Sequence, residues 1–112
     1  MKLVVAIIQP DMIEEVQKAL VRHGVNGMTI TEVSGYGRQR GHLEVYRGEE
    51  YSIDFILKIR IEVLVDDSEV EPLVGVILQS ARTGQVGDGK IWVVPVDTAV
   101  RIRTGESGPA AI

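Results

Sequence analysis

Apolar residues recur at several different spacings along the chain, and each spacing predicts one element of secondary structure. Residues 3–8 are apolar at successive positions and rich in β-branched side chains, which predicts a strand buried on both faces. In residues 12–23 the apolar positions form one helical stripe, and Gly24 follows as a stop signal, so we expect a helix there. Residues 28–33 alternate between apolar and polar side chains, which predicts a second strand.

The second half of the chain opens with the clearest alternation. In residues 56–65 the side chains of Lys58, Arg60 and Glu62 fall on one predicted face, and apolar side chains fall on the other. Because successive side chains of a strand point to opposite faces, this pattern predicts a third strand with one buried face.

A second helix and a fourth strand follow. Apolar residues stand at helical spacing from residue 70 up to Gly84, and Ser68 with Glu71 resembles a capping box at the start of this helix. Pro72 falls in the first turn, where a missing N–H costs little. Residues 91–96 predict a strand with a short extension at residues 100–102, and Pro95 indicates a sheet edge or a bulge.

The predicted order is therefore strand, helix, strand, strand, helix, strand. In one α+β domain of residues 1–112, this order predicts a ferredoxin-like βαββαβ sandwich with both helices on one face of the sheet. The first strand is apolar on both sides, so the helix-free face needs a cover, most simply a second copy of the chain. We expect a homo-oligomer.

Residues 35–55 do not fit a plain small domain. They form a stretch of about twenty residues without a convincing period, whereas connections in compact domains usually have ~4–6. The stretch carries Tyr36, Tyr46 and Tyr51 together with glycines and a balanced set of arginines and glutamates. This composition predicts a mobile recognition arm rather than a linker.

Composition excludes several classes of function. The formal net charge is −4, the wrong sign for a protein that binds nucleic acid through bulk electrostatics. The chain has no cysteine, which removes disulfides, thiolate nucleophiles and cysteine-based zinc sites. The apolar run at residues 3–8 is too short for a signal-peptide core, and no stretch reaches the length of a membrane span. We expect a soluble, cytoplasmic protein that meets a membrane only through a partner.

Candidate catalytic groups are few. The two histidines, His23 and His42, stand in no recognisable nucleophile or metal motif. The adjacent acidic pairs at residues 14–15 and 66–67 precede or open helices, where negative charge favours the helix dipole. We therefore expect no enzymatic activity.

Binding of an anion is better supported. Residues 84–90, GQVGDGK, match the first part of a phosphate-binding P-loop. However, Ile91 replaces the final Ser or Thr, and the segment joins a helix to a strand instead of a strand to a helix, so the P-loop mechanism is rejected. A glycine-rich turn with Lys90 remains, able to wrap an anion or to serve as an ordinary connection.

Three arginines could complete an anion site. Arg101 and Arg103 are two residues apart on a segment that we expect to be extended, so both would point to one face. Arg38 stands in residues 35–41, GYGRQRG, whose spacing does not match the dinucleotide fingerprint. Together with Lys90 these arginines offer about the charge that a triphosphate needs.

Five segments carry a resemblance to a known family. They are MTITEV at 28–33, GYGRQRGH at 35–42, YRGEEY at 46–51, TGQVGDGKIWV at 83–93 and IRTGE at 102–106. In this order and combination they resemble the PII nitrogen-regulatory signal proteins, and the match covers essentially the whole chain.

The resemblance implies a homotrimer that binds ATP or ADP in clefts between neighbouring subunits. The phosphates would be held by Lys90, Arg101 and Arg103, and the base and ribose end by Thr29, Glu62 and Leu64. The implied nucleotide-binding residues are Thr29, Gly35, Gly37, Arg38, Glu62, Leu64, Gly87, Asp88, Gly89, Lys90, Arg101 and Arg103. The implied phosphate turn spans residues 82–90, and the C-terminal segment spans residues 101–112.

The resemblance also implies a second ligand and a signalling loop. Gln39 would coordinate the Mg²⁺ that bridges ATP and 2-oxoglutarate, while Lys58 and Gly41 would bind the oxoacid. Residues 37–55 would be the family's mobile T-loop, which reports the bound ligand to an ammonium transporter and to nitrogen-assimilation enzymes. Tyr51 would be the position that a nucleotidyltransferase modifies in some members.

One departure from the family pattern leaves an alternative open. Gln9 stands where a Lys is usual beside the strand-ending Pro10, and this removes a positive charge close to the oxoacid position. The alternative is a PII-like sensor of adenylates alone. An RNA-binding ferredoxin-like module is disfavoured by the acidic charge and the single Phe55. An acylphosphatase would need an anion loop directly after the first strand. Residues 9–11, QPD, do not supply one.

Overall fold

A computed structural model describes residues 1–36, 44–46, 49–52 and 55–112, with backbone alone for 44–46 and 49–52. Its two main helices and six strands are β1 (Lys2–Ile8), α1 (Ile13–His23), β2 (Thr29–Gly35), β3 (Glu44–Tyr46), β4 (Glu49–Ser52), β5 (Ile56–Val65), α2 (Val70–Ala81) and β6 (Gly89–Pro95). Four strands form an antiparallel sheet in the order β2-β5-β1-β6. The predicted ferredoxin-like α+β fold is confirmed.

Both helices pack on one face of this sheet, as predicted. Alternate residues of β1 and β5 point toward the helices because side chains of a strand alternate between faces. They are joined there by one apolar stripe from each helix. The buried residues of this core are Val4, Ala6, Ile8, Val16, Leu20, Ile59, Ile61, Val63, Val65, Leu73, Ile77 and Ala81.

The helix-free face is partly covered within a single chain. Val5 points to this face and is 0% exposed, although no helix lies over it. In the sheet register Val5 stands between Glu62 on β5 and Trp92 on β6, and the guanidinium of Arg60 lies 5.7 Å from the centre of the Trp92 ring. Burial of Val5 therefore needs no second copy, whereas Trp92 itself remains 39% exposed.

The ends of the helices follow their local sequence in part. α1 ends at His23, as predicted. Gly24 follows with a φ of 110°, which glycine readily adopts, and its N–H reaches the carbonyls of Leu20 and Val21. The predicted capping box before α2 is wrong. Instead, the carboxylate of Asp66 accepts the N–H of Asp67 at 3.0 Å, and a 3₁₀ turn leads into the helix.

Two other boundaries also differ from expectation. α2 ends at Ala81 and not at Gly84, because the backbone of Arg82 is already extended. Residues 35–55 are not without regular structure: β3 and β4 pair as an antiparallel hairpin inside this stretch. The expected mobility of the stretch stays a prediction. Pro95 is the last residue of β6, which forms one edge of the four-stranded sheet, so the predicted edge position is confirmed.

The segment after β6 is not the extended strand that was predicted at residues 100–102. Val100 and Ser107 form an isolated antiparallel bridge, and the residues between them fold into a turn. The N–H of Gly105 donates to the carbonyl of Arg101 at 2.8 Å, and the N–H of Arg101 donates to the carbonyl of Glu106 at 2.8 Å. Arg101 and Arg103 are thus two positions of one turn, and strand alternation does not place them on a common face.

Candidate functional site

The glycine-rich turn between α2 and β6 is organised by the carboxylate of Asp88. This side chain accepts the N–H of Thr83 at 2.9 Å and the N–H of Gly84 at 2.8 Å, and it also accepts the hydroxyl of Thr83. These hydrogen bonds lower the pKa of Asp88 from its ordinary value, with the side-chain bond from Thr83 as the largest cause. Asp88 therefore shapes the turn by binding its start.

Replacement of Asp88 by Asn tests this clamp through its pH dependence. The folded pKa is lowered, so the ionised clamp stabilises the fold above the ordinary Asp pKa and loses that contribution as the pH falls through the folded value. We expect D88N to melt at a lower temperature than wild type near pH 7, with a difference that shrinks in acid. Thermal unfolding between pH 7 and pH 3 measures this. Asp97→Asn, at an exposed position after β6, is the control; an equal pH dependence in both variants would contradict the clamp.

Gly89 allows the turn to approach β1 closely. Its φ is 105°, and a Cβ added there would lie 1.7 Å from the carbonyl oxygen of Ile7. No L-residue with a side chain can occupy this position without moving one of the two strands. The sequence predicted a flexible glycine turn. At Gly89, however, glycine is required because there is no room for a Cβ beside β1 as well as because the φ is positive.

Lys58 connects β5 to this turn. Its side chain is nearly buried, at 8% exposure, and its ammonium group donates a 2.6 Å hydrogen bond to the carbonyl of Gly87. Burial lowers the pKa of Lys58, and the negative charge of Asp88 partly offsets that effect. A positive charge in such a poorly solvated position favours a carboxylate or phosphate partner.

A cavity of about 600 Å³ lies where the turn meets the sheet, and we call it the phosphate cleft. Six residues implied for ligand binding contribute to it. Its implied site residues are Gly35, Lys58, Gly87, Asp88, Gly89 and Lys90, and Tyr36, Val86 and Trp92 are among its other lining residues. The fold thus brings residues from the ends of β2, β5 and β6 to one place.

A second cavity, of about 740 Å³, lies at the other end of the sheet, and we call it the base cleft. Thr29 and Glu62 are direct cross-strand neighbours there, and Leu64 lies two residues further along β5. Pro109, Ala111 and Ile112 close the cleft on one side. All three residues implied for the base and ribose end therefore share one cleft.

The two arginines of the C-terminal turn have different surroundings. Arg101 contacts a residue of the base cleft, whereas Arg103 lies on the surface. Arg101 donates to a backbone oxygen of Ile112 at 2.8 Å and pairs with Glu106 at 3.5 Å. Since Ile112 lines the base cleft, Arg101 supports one of its walls in the free chain. Arg103 is exposed, and nothing in the described structure brings it to the phosphate cleft of the same chain.

Known proteins resemble this chain along its whole length. The family model described as "Nitrogen regulatory protein P-II" matches residues 1–106. The chain belongs to the P-II family. Over 112 residues and the full length of both chains, it is 54% identical to "Nitrogen regulatory protein P-II" of Azospirillum brasilense and 52% to the protein of that name from Synechocystis sp.. It is 51% identical to "Nitrogen regulatory protein P-II 1" of Escherichia coli, again over the whole of both chains.

Membership of the P-II family gives the chain a role in nitrogen signal transduction, since P-II proteins are regulatory signal proteins. The fold and the recognised family therefore confirm the resemblance on which the site residues were chosen. In the described part of the chain, neither helix is both long and apolar enough to cross a bilayer.

Several P-II site predictions fall outside the described residues. Gly37, Arg38, Gln39 and Gly41 belong to residues 37–43, and their predicted roles stay predictions. Tyr51 lies in β4, where the structure describes the backbone alone.

Sequence reasoning missed three contributors to the P-II clefts. Trp92 lines the phosphate cleft, and Ile112 lines the base cleft. Arg60 joins these regions by binding Glu62 and lying over Trp92. The alternation of β5 placed Arg60 beside Lys58 and Glu62, so a signal for it existed. No local pattern predicts that Ile112 returns to the sheet.

Proposed function

We propose that the protein senses ATP, ADP and 2-oxoglutarate and passes the result to proteins of nitrogen metabolism. The observation that carries this proposal is the convergence of Lys58, Gly87, Gly89 and Lys90 on one cleft with Gly35. Two lysines and a glycine turn in an otherwise acidic chain suit a polyanion. Family membership supplies the nitrogen-regulatory context.

A nucleotide site built from two copies accounts for the division into two clefts. In the described part of the chain the two clefts share no lining residue. Lys58 and Glu62 mark the clefts on the same face of β5, and they lie roughly 13 Å apart because a strand rises about 3.3 Å per residue. We propose that the phosphate cleft of one subunit faces the base cleft of its neighbour in a homotrimer.

Exposed apolar surface supports this assembly. Trp92 and Val94 are each about two-fifths exposed on the helix-free face, and β2 and β6 form the two edges of the four-stranded sheet. Unprotected edges and apolar side chains favour association with another chain. A trimer would cover this face and complete three equivalent sites.

The proposed ligands have distinct partners. Lys90, Arg101 and Arg103 would bind phosphate oxygens, and the base and ribose would lie between Thr29, Glu62 and Leu64. Lys58 would bind a carboxylate of 2-oxoglutarate in exchange for the carbonyl of Gly87. Mg²⁺ would be held by phosphate oxygens, the oxoacid and Gln39, a set of oxygen ligands that suits this ion. The carboxylate of Asp88 is already committed to the turn.

Signalling would depend on residues 37–55. Gly35 and Tyr36 before this stretch, and Ile56 after it, line the phosphate cleft, so a ligand there contacts both connections of the loop. A ligand that binds one loop conformation better than another shifts the population between them. The proposed recipients are an ammonium transporter and nitrogen-assimilation enzymes in the cytoplasm, with nucleotidylation of Tyr51 as a further control.

Calorimetric titration of 2-oxoglutarate, with and without saturating Mg-ATP, tests the proposal. We expect Mg-ATP to bind and 2-oxoglutarate to bind only when Mg-ATP is present, since both would share the Mg²⁺ and the phosphate cleft. ATP that fails to bind would overturn the nucleotide site. If the oxoacid bound with equal affinity without Mg-ATP, the proposal that one Mg²⁺ ion contacts both ligands would be wrong.

The second candidate is a sensor of adenylates alone, and it is favoured by one residue. Gln9 follows Ile8, which pairs with Gly89 of the phosphate turn, so the missing Lys would have stood beside this cleft. If ATP binds and the oxoacid does not, the second candidate is supported. Gln9→Lys should then gain oxoacid binding, since it restores a cation at that edge.

A further inference from the structure

Arg60 holds together residues from the two clefts. Its Nε donates a 2.6 Å hydrogen bond to a carboxylate oxygen of Glu62, which lines the base cleft. Its guanidinium carbon lies 5.7 Å from the ring centre of Trp92, which lines the phosphate cleft. One side chain therefore has partners in both places.

Arg60 has two contacts that favour one position of its side chain. An ion pair with a hydrogen bond of this length belongs to the stronger class of polar interactions, and both side chains are only about one-third exposed. A guanidinium over an indole ring gains a cation–π interaction, which is most favourable with Trp. In the sheet register, Val5 lies between Glu62 and Trp92 and is fully buried.

The charge of Arg60 matters because the base cleft is acidic. Besides Glu62, the acidic residues Asp66 and Glu69 line it, and His23 lies 3.7 Å from the Glu69 carboxylate. An unpaired Glu62 would add to a negative potential that repels a nucleotide, and its carboxylate would be free to rotate. Paired with Arg60, the same carboxylate is partly neutralised and held in one orientation.

We propose that Arg60 is a positioning residue for nucleotide binding, acting through Glu62 and held in place by Trp92. The inference rests on the proposed function, because it takes the base cleft as the place where the base and ribose bind. It goes beyond that function by assigning a role to a residue that need not touch the nucleotide. Arg60 orients the carboxylate that does.

A double-mutant cycle tests the proposal. We compare wild type, Arg60→Met, Glu62→Gln and the double variant by calorimetric titration with Mg-ATP. Arg60→Met should weaken ATP binding about tenfold, within the range measured for coupled residues in contact. Glu62→Gln should weaken binding in the wild-type background. In the Arg60→Met background it removes an unpaired negative charge, so there it should not weaken binding further and should partly restore it. Lys18→Met, on the exposed face of α1, removes a cation elsewhere and should leave ATP binding unchanged.

A second readout does not depend on the ligand. Trp92 is the only tryptophan, so the emission spectrum reports the surroundings of this one ring. Glu62→Gln should change the emission of the free protein when Arg60 is present, because the guanidinium loses its anchor, and should not change it in the Arg60→Met background. Thermal unfolding of each variant establishes that it is folded.

The outcomes separate this inference from the proposed function. Wild-type protein that fails to bind Mg-ATP would overturn the proposed function and, with it, the positioning role in binding. If wild type binds but Arg60→Met binds equally well, or the two substitutions have independent effects, Arg60 is not a positioning residue. If Glu62→Gln left the emission spectrum unchanged in the protein that retains Arg60, the link from Glu62 through Arg60 to Trp92 would be contradicted.

Discussion

Replacement of Gly89 by Ala is expected to lower the free energy of unfolding by more than about 4 kcal/mol. The new Cβ would lie 1.7 Å from the carbonyl oxygen of Ile7 and 2.7 Å from its carbonyl carbon, so β6 must move away from β1. The positive φ adds about 1–2 kcal/mol for a residue with a side chain. A total above about 4 kcal/mol is comparable to the ~5–15 kcal/mol that keeps a domain folded.

Urea unfolding followed by circular dichroism measures this loss, and Gly84→Ala is the matched control. Gly84 also has a positive φ, of 88°, but no atom lies within 4 Å of an added Cβ. The control therefore carries the backbone cost without the collision and should lose only about 1–2 kcal/mol. Similar unfolding midpoints for the two variants would show that the contact with Ile7 does not limit this turn.

Replacement of Lys58 by Met is expected to abolish detectable binding of 2-oxoglutarate while ATP binding remains. Truncating one partner of a buried charge pair typically costs about 2–5 kcal/mol, or roughly 30-fold to several thousandfold in affinity. Met keeps most of the apolar length of the side chain, so the nearly buried position stays filled. Calorimetric titration with Mg-ATP, and then with oxoacid, separates the two ligands.

The lowered pKa of Lys58 gives this prediction a pH dependence in the wild-type protein. Burial lowers the pKa, so the ammonium loses its proton at a lower pH than an exposed lysine would. Oxoacid affinity should therefore fall as the pH rises through that lowered value, and Lys18→Met should behave like wild type. If K58M bound the oxoacid as tightly as wild type, Lys58 would not be a binding residue for the oxoacid.

The fold was predictable where a single face of an element is buried. The alternation of β5 and the stripe of α1 gave their bounds within one residue because burial on one side imposes a strict period. Element boundaries that depend on a single local interaction were harder to predict from the sequence. Asp66 caps the turn before α2, although Ser68 has the more familiar spacing, and the choice depends on the path of the chain between β5 and α2.

The candidate site was predictable in its residue types and less so in its layout. The glycines and Lys90 follow from the turn sequence, and family resemblance added Lys58 and Glu62. The division into two clefts follows from Lys58 and Glu62, which lie at different levels of β5. Which residues of the neighbouring strands join each of them is known only from the sheet register. The turn that contains Arg101 was predicted as extended, because its closure depends on hydrogen bonds between Arg101, Gly105 and Glu106.

The central position of β1 has a consequence for synthesis of the chain. β1 lies between β5 and β6, and its Lys2 lies opposite Val65 and Pro95. At roughly 5–20 residues per second on the ribosome, the first strand waits several seconds for its partners. During that interval its apolar residues have no sheet to join. In the nascent chain, residues 3–8 therefore form an exposed apolar segment until Pro95 has emerged.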